Sequence, residues 1–106
     1  MTIREIAEQY IRGLKMREQA QQLNQKNLAA KFERCVRAIS AIANGRHVPY
    51  IPDDEQALIR ECLNEAKRLR WEASKVSMPR LCHEHGVGHK AIEDELYRMG
   101  YWEETA

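Results

Sequence analysis

The stretch RLCHEHGVGHKAIEDEL, residues 80–96, gathers Cys82, His83, His85 and His89 just ahead of the acidic run Glu93, Asp94 and Glu95. Thiolate and imidazole are good zinc ligands, and a cysteine near a histidine is a starting point for nucleophilic catalysis. Zinc needs its donors to converge tetrahedrally, and structural sites usually space the donor pairs across a loop or a strand-to-helix turn. On a helix through this stretch, Cys82 and His83 point in different directions and His85 and His89 straddle a turn, so only a pair can meet. The spacing therefore predicts no metal site and no cofactor. Catalysis is not expected either. The acids at 93–95 spread around a helix, no serine stands near a matching base, and no glycine-rich phosphate loop follows a strand. The residue types point to a binding protein rather than an enzyme.

The elements that carry these residues can be read from spacing. Ser77 is placed to cap a short helix, and Pro79 is tolerated in its first turn. Leu81 points inward, and Cys82 is small enough for a close helix crossing. Gly86 stops the helix where the chain commonly needs a positive φ, and Val87 plugs the corner. A second short helix begins at Gly88 or His89, buries Ile92, Leu96 and Met99 at steps of 4 and 3, and ends at Gly100.

Upstream, Thr2 and Glu5 have capping-box spacing, and Ile3, Ala7, Tyr10 and Leu14 form an apolar stripe, widened by Ile6 and Ile11. A second stripe runs through Leu28, Phe32, Cys35, Ile39 and Ile42, with Ala29 and Val36 beside it. The segment between them is rich in helix formers but polar at Arg17, Gln21 and Asn24. It supports either one long helix from Thr2 to about Ala43 or a break near Asn24 to Asn27. A helix of that length would need a second copy of the chain to cover it, which predicts a homodimer. Gly45 stops this region, and Pro49 and Pro52 hold a connection. Asp53 or Asp54 then caps a central helix whose inward stripe is Leu58, Cys62, Ala66, Leu69, Ala73 and Val76, broadened by Ile59.

The expected fold is all-α: a long N-terminal helix or helix pair, a central helix, and a C-terminal pair of short helices. The expected segments are 1–45, a basic helical dimerisation segment, and 46–106. The 106 residues are 43% hydrophobic but only 7% aromatic, so aliphatic side chains must build the core. Three cysteines without a CxxC pair, no signal-peptide pattern and no long apolar run predict a cytoplasmic protein with reduced thiols and no membrane span. Net charge is +1 but unevenly spread. Residues 1–50 hold nine Lys/Arg and four acids, whereas residues 51–106 hold eight and twelve.

The segment LCHEHGVGHKAIEDELYRMGYW resembles the helix-turn-helix of bacterial and phage regulators, some of them winged. Leu81 and Cys82 match the Leu-Ala pair of that pattern, Gly86 and Val87 its Gly-Val turn, and Ile92 and Leu96 its apolar positions six and ten residues after the glycine. MGYW is similar to the passage toward a wing, although too few residues follow for a complete two-stranded wing. The match covers about a fifth of the chain and names no single family.

The resemblance implies that the second helix enters the major groove of double-stranded DNA. His89, Lys90, Asp94, Tyr97 and Arg98 would then face the duplex, with Lys67, Arg68, Arg70 and Arg80 on phosphates, helped by Lys75. The implied function is a small sequence-specific DNA-binding regulator of transcription, of the kind carried by phages and mobile elements. The acids at 93–95 favour an alternative: a protein-binding module that docks on a host nucleic-acid-processing protein.

Overall fold

A computed structural model describes residues 1–102. It contains six helices and, among the described residues, no strand: α1 (Ile3–Gln22), α2 (Gln25–Phe32), α3 (Val36–Ala43), α4 (Asp53–Ser74), α5 (Met78–His85) and α6 (His89–Arg98). Among the described residues, no helix is long and apolar enough to cross a membrane. The chain divides into two compact units. One comprises Met1–Met16 and the described residues from Glu72 onward; the other comprises Arg17–Trp71. Helices α1 and α4 each contribute to both.

The first unit is built on α5, α6 and the N-terminal part of α1. The capping box forms as its spacing requires: the Glu5 N–H donates to Thr2 Oγ1 at 3.2 Å, and the Thr2 N–H donates to Glu5 Oε1 at 3.3 Å. The Thr2 N–H and, next, the Thr2 hydroxyl, which donates to Glu5 Oε1 at 3.1 Å, hold the Glu5 carboxyl below the usual range, because they favour the ionised form. Ile6 and Ala7 are buried with Met78, Leu81, Ile92 and Leu96, and Ile3, Tyr10, Val87 and Met99 pack around them. The N-terminal apolar stripe is thus covered within the chain. Gly13 is buried where only glycine fits easily, since a Cβ there would lie 2.6 Å from Cγ2 of Val76.

The second unit answers the question left open about the N-terminal half. The chain breaks after Gln22. Asn24 caps α2 by accepting from the Asn27 N–H at 2.8 Å, so residues 2–43 form three helices rather than one. Helix α2 ends at Glu33, a non-glycine residue with φ 54°, and the following Arg34 pairs with Glu55 on α4. Helix α3 ends as expected at Gly45 (φ 80°), where the Gly45 and Arg46 N–H groups donate back to Ile42 and Ala41. The core holds Leu28, Ala38, Ile39, Ile42, Val48, Ile51 and Ile59.

Two inward assignments are corrected in this unit. Leu58 is 53% exposed, so the early part of α4 turns Ile59 rather than Leu58 inward, while Ala66, Leu69 and Ala73 of the expected stripe are buried. Cys35 and Val36 face solvent because the chain is extended at Cys35, the N-cap of α3, and the helical register restarts there. Gln56, three residues before Ile59, is buried on the same side of α4. Its amide accepts from the Val48 N–H at 3.1 Å and donates to the Val48 and Ile51 carbonyls at 2.8 Å each. One side chain therefore satisfies three backbone groups of the 48–51 connection. Asp53 and Asp54 lie inside the first turn of α4 with Glu55, where acids suit the positive end of the helix dipole.

The Cys35 thiol is held below the usual cysteine range, first by the Ala38 backbone N–H and next by the Tyr50 hydroxyl, whose oxygen lies 3.9 Å from Sγ. The thiolate is the reactive form. Cys35 is exposed, whereas Cys62 and Cys82 are partly covered. Iodoacetamide labelling followed by peptide mass spectrometry is therefore expected to modify Cys35 first. Its rate should level off at a lower pH than that of a free cysteine. Labelling of Cys62 or Cys82 ahead of Cys35 would contradict this environment.

Candidate functional site

Helix α5 has Ser77 at its N-cap without a side-chain cap bond and Pro79 in its first turn, and it stops at Gly86 with φ 61°. The left-handed conformation is cheap only for glycine, and it lets the Val87 N–H donate to the Cys82 carbonyl at 3.2 Å. Val87 then packs on the first unit's core, and Gly88 serves as N-cap of α6. At the far end, Gly100 takes φ 74° and the Tyr101 N–H donates to the Leu96 carbonyl at 3.0 Å, closing α6 with a Schellman motif. The passage expected to lead toward a wing is a turn and a bend through Trp102; residues 103–106 lie outside the described residues.

Ile92 and Leu96 are completely buried on one side of α6, so the side carrying Lys90, Asp94 and Tyr97 is exposed. Successive steps of 4 and 3 put these three residues on one stripe. Lys90 has no ion-pair partner among the described residues. Tyr97 is 43% exposed and meets Trp102 edge-on, with ring centroids 5.7 Å apart. Trp102 also meets Tyr10 of α1 edge-on at 6.2 Å. The aromatic contacts fix the Tyr97 ring while leaving part of it in water.

The flanking residues are more constrained than their spacing suggested. His89 Nε2 lies 2.7 Å from Glu93 Oε1, and the Arg98 guanidinium lies 3.1 Å from Glu95 Oε2. Glu95 is one of the three acids that spread around α6, and it does not face solvent as Asp94 does. It is only 8% exposed and lies toward the core, with its stem packed and its carboxylate held by Arg98. The i, i+3 spacing of Glu95 and Arg98 was the sequence signal for this pair. Both Arg98 and His89 remain well exposed, and surface ion pairs of this kind hold their partners weakly.

The other expected phosphate contacts separate into two groups. Arg80 belongs to the first unit, on α5, 4.0 Å from Glu84. Lys67, Arg68 and Arg70 lie on α4 in the second unit, where Arg68 is bonded to Glu65 and holds that carboxyl below its usual range. The four thiol and imidazole groups at 82–89 do not converge; among the described residues, no group of three or more Cys, His, Asp or Glu side chains could hold a metal ion. No family model, curated protein or solved structure matches the chain.

Proposed function

We propose that this chain is a small DNA-binding regulator, of the phage or mobile-element kind, that reads double-stranded DNA through α6. The observation that carries this reading is the solvent-facing Lys90–Asp94–Tyr97 stripe on a helix anchored from behind by Ile92 and Leu96. A helix presented on its partner helices after a tight turn is the arrangement by which helix-turn-helix proteins enter the major groove. Lys90, in the first turn of α6, is suited to guanine or phosphate. Asp94 can accept from the cytosine amino group, and Tyr97 can donate to a phosphate. His89 and Arg98 flank the stripe, Arg80 lies on α5 of the same unit, and all three can exchange carboxylate partners for phosphates at little cost. Two copies on one duplex would read half-sites about 34–36 Å apart.

Gel-shift titration of duplex genomic fragments at several salt concentrations tests this. Binding is expected to weaken steeply with salt, because phosphate contacts release counterions. Lys90→Glu should reduce affinity for the preferred fragments by at least about tenfold, the loss of one good base contact, with the thermal unfolding midpoint unchanged. Fragments bound equally well by Lys90→Glu would remove α6 from the interface.

A second reading, docking on a basic protein surface, is favoured by one observation. The unit that carries α6 holds seven Lys/Arg against nine Asp/Glu, whereas Arg17–Trp71 holds ten against seven. Absence of binding to any fragment at low salt would favour that alternative.

A further inference from the structure

The basic unit, Arg17–Trp71, contains a concavity of about 260 Å³ in which α4 faces the start of α2 and the end of α3. Arg60, Lys67 and Arg70 line it, and no carboxylate does. These cations have no ion-pair partner among the described residues, although Glu61 and Glu65 stand on the same helix. The sequence explains why they gather: positions 60, 63, 64, 67 and 70 recur at helical spacing and so share one side of α4. Ile42, Ala43 and Leu63 supply an apolar floor, and Gln25 and Asn64 supply amides. The carbonyl end of α3 would repel an anion, but its Ser40, Ala41 and Ile42 carbonyls already accept bonds from Asn44, Arg46 and Gly45. Arg70 also borders a shallower depression that adds Arg17 and Gln21.

We propose that this concavity binds a small phosphorylated organic molecule, with the phosphate held by Arg60, Lys67 and Arg70 and the organic body lying on Ile42, Ala43 and Leu63. Three unpaired cations over one hollow repel one another until an anion enters, and guanidinium groups match phosphate oxygens in pairs. A polymer backbone requires only a charged track, whereas an enclosed apolar floor with amides on its rim suits a discrete ligand body. Ligand pockets usually span about 300–1,000 Å³, so this one suits a molecule of mononucleotide bulk or less. The site does not depend on the DNA-binding role of α6, which belongs to the other unit.

Isothermal titration of the full chain at low salt with inorganic phosphate, adenosine, three nucleoside monophosphates, phenyl phosphate and a single-stranded oligonucleotide tests the assignment. At least one phosphate monoester should bind saturably and tighter than inorganic phosphate, and adenosine should not bind. The double substitution Lys67→Gln/Arg70→Gln should weaken that binding by roughly tenfold or more, since two charge-assisted contacts are lost. Arg37→Gln, which removes one positive charge from α3 of the same unit, should leave it unchanged. The proposal is overturned if no monoester binds better than inorganic phosphate, if Arg37→Gln weakens binding as much as the double substitution, or if only a single-stranded oligonucleotide binds.

Discussion

Replacing Gln56 with leucine is expected to destabilise the chain by about 3 kcal/mol or more, although the two side chains are similar in size. Gln56 is fully buried, and its amide is the partner of the Val48 N–H, the Val48 carbonyl and the Ile51 carbonyl. Each buried backbone group left without a partner costs roughly 1–3 kcal/mol. Leucine strands all three at once, and the neighbouring Val48 and Ile51 side chains are themselves core residues, so the connection cannot open to water without exposing them. Circular-dichroism melting should show a fall in midpoint of more than about 10 °C for a loss of this size. A fall of only a few degrees would mean that water replaces the amide. Gln56→Glu should also destabilise at neutral pH, since a carboxylate cannot donate to either carbonyl.

Leu81→Ala should cost a comparable amount, about 2–5 kcal/mol, by leaving a cavity where α5 meets Ile92, Leu96 and Ile6. Leu81 is fully buried at the centre of the core that sets the angle of α6. Chemical denaturation should register the loss. Fragment binding should fall with it in conditions where the variant is partly unfolded and recover as the temperature is lowered. Lys90→Ala, by contrast, is expected to stay within about 0.5 kcal/mol of the parent in stability, as exposed substitutions do. Were Leu81→Ala as mild as Lys90→Ala, the support assigned to α6 would be wrong.

Much of the first unit was legible because its signals are local and leave little choice. Thr2 and Glu5 could satisfy each other only at a helix start, and Gly86 followed by Val87 marked a corner that Leu81, Ile92 and Leu96 then closed. The errors came where two adjacent positions fit the same period. Leu58 and Ile59 are both apolar, so spacing alone could not choose between them. The choice is fixed by Gln56, three residues before Ile59, whose amide is needed by a connection that no periodic pattern describes. The burial of Glu95 was not legible, because an acid at an inward position violates the usual pattern and is tolerated here through its pairing with Arg98. The single long helix that would have needed a second copy to cover its stripe is not formed, so a second copy now rests on the DNA-binding reading alone. Asn24 ends that helix's rise toward α2, and α5 and α6 cover Ile6 and Ala7. The cations of α4 were visible in the sequence, but the wall facing them, made by α2 and α3, depends on tertiary packing.

The role assigned to α6 is tested most directly by selecting bound sequences from a randomised duplex library at low salt, in parallel with the parent chain and Lys90→Glu. A DNA reader should enrich a defined motif within a few rounds, and Lys90→Glu should lose that motif or change it at one base position. Recovery of unenriched sequence from both chains would contradict duplex readout by the Lys90–Asp94–Tyr97 surface.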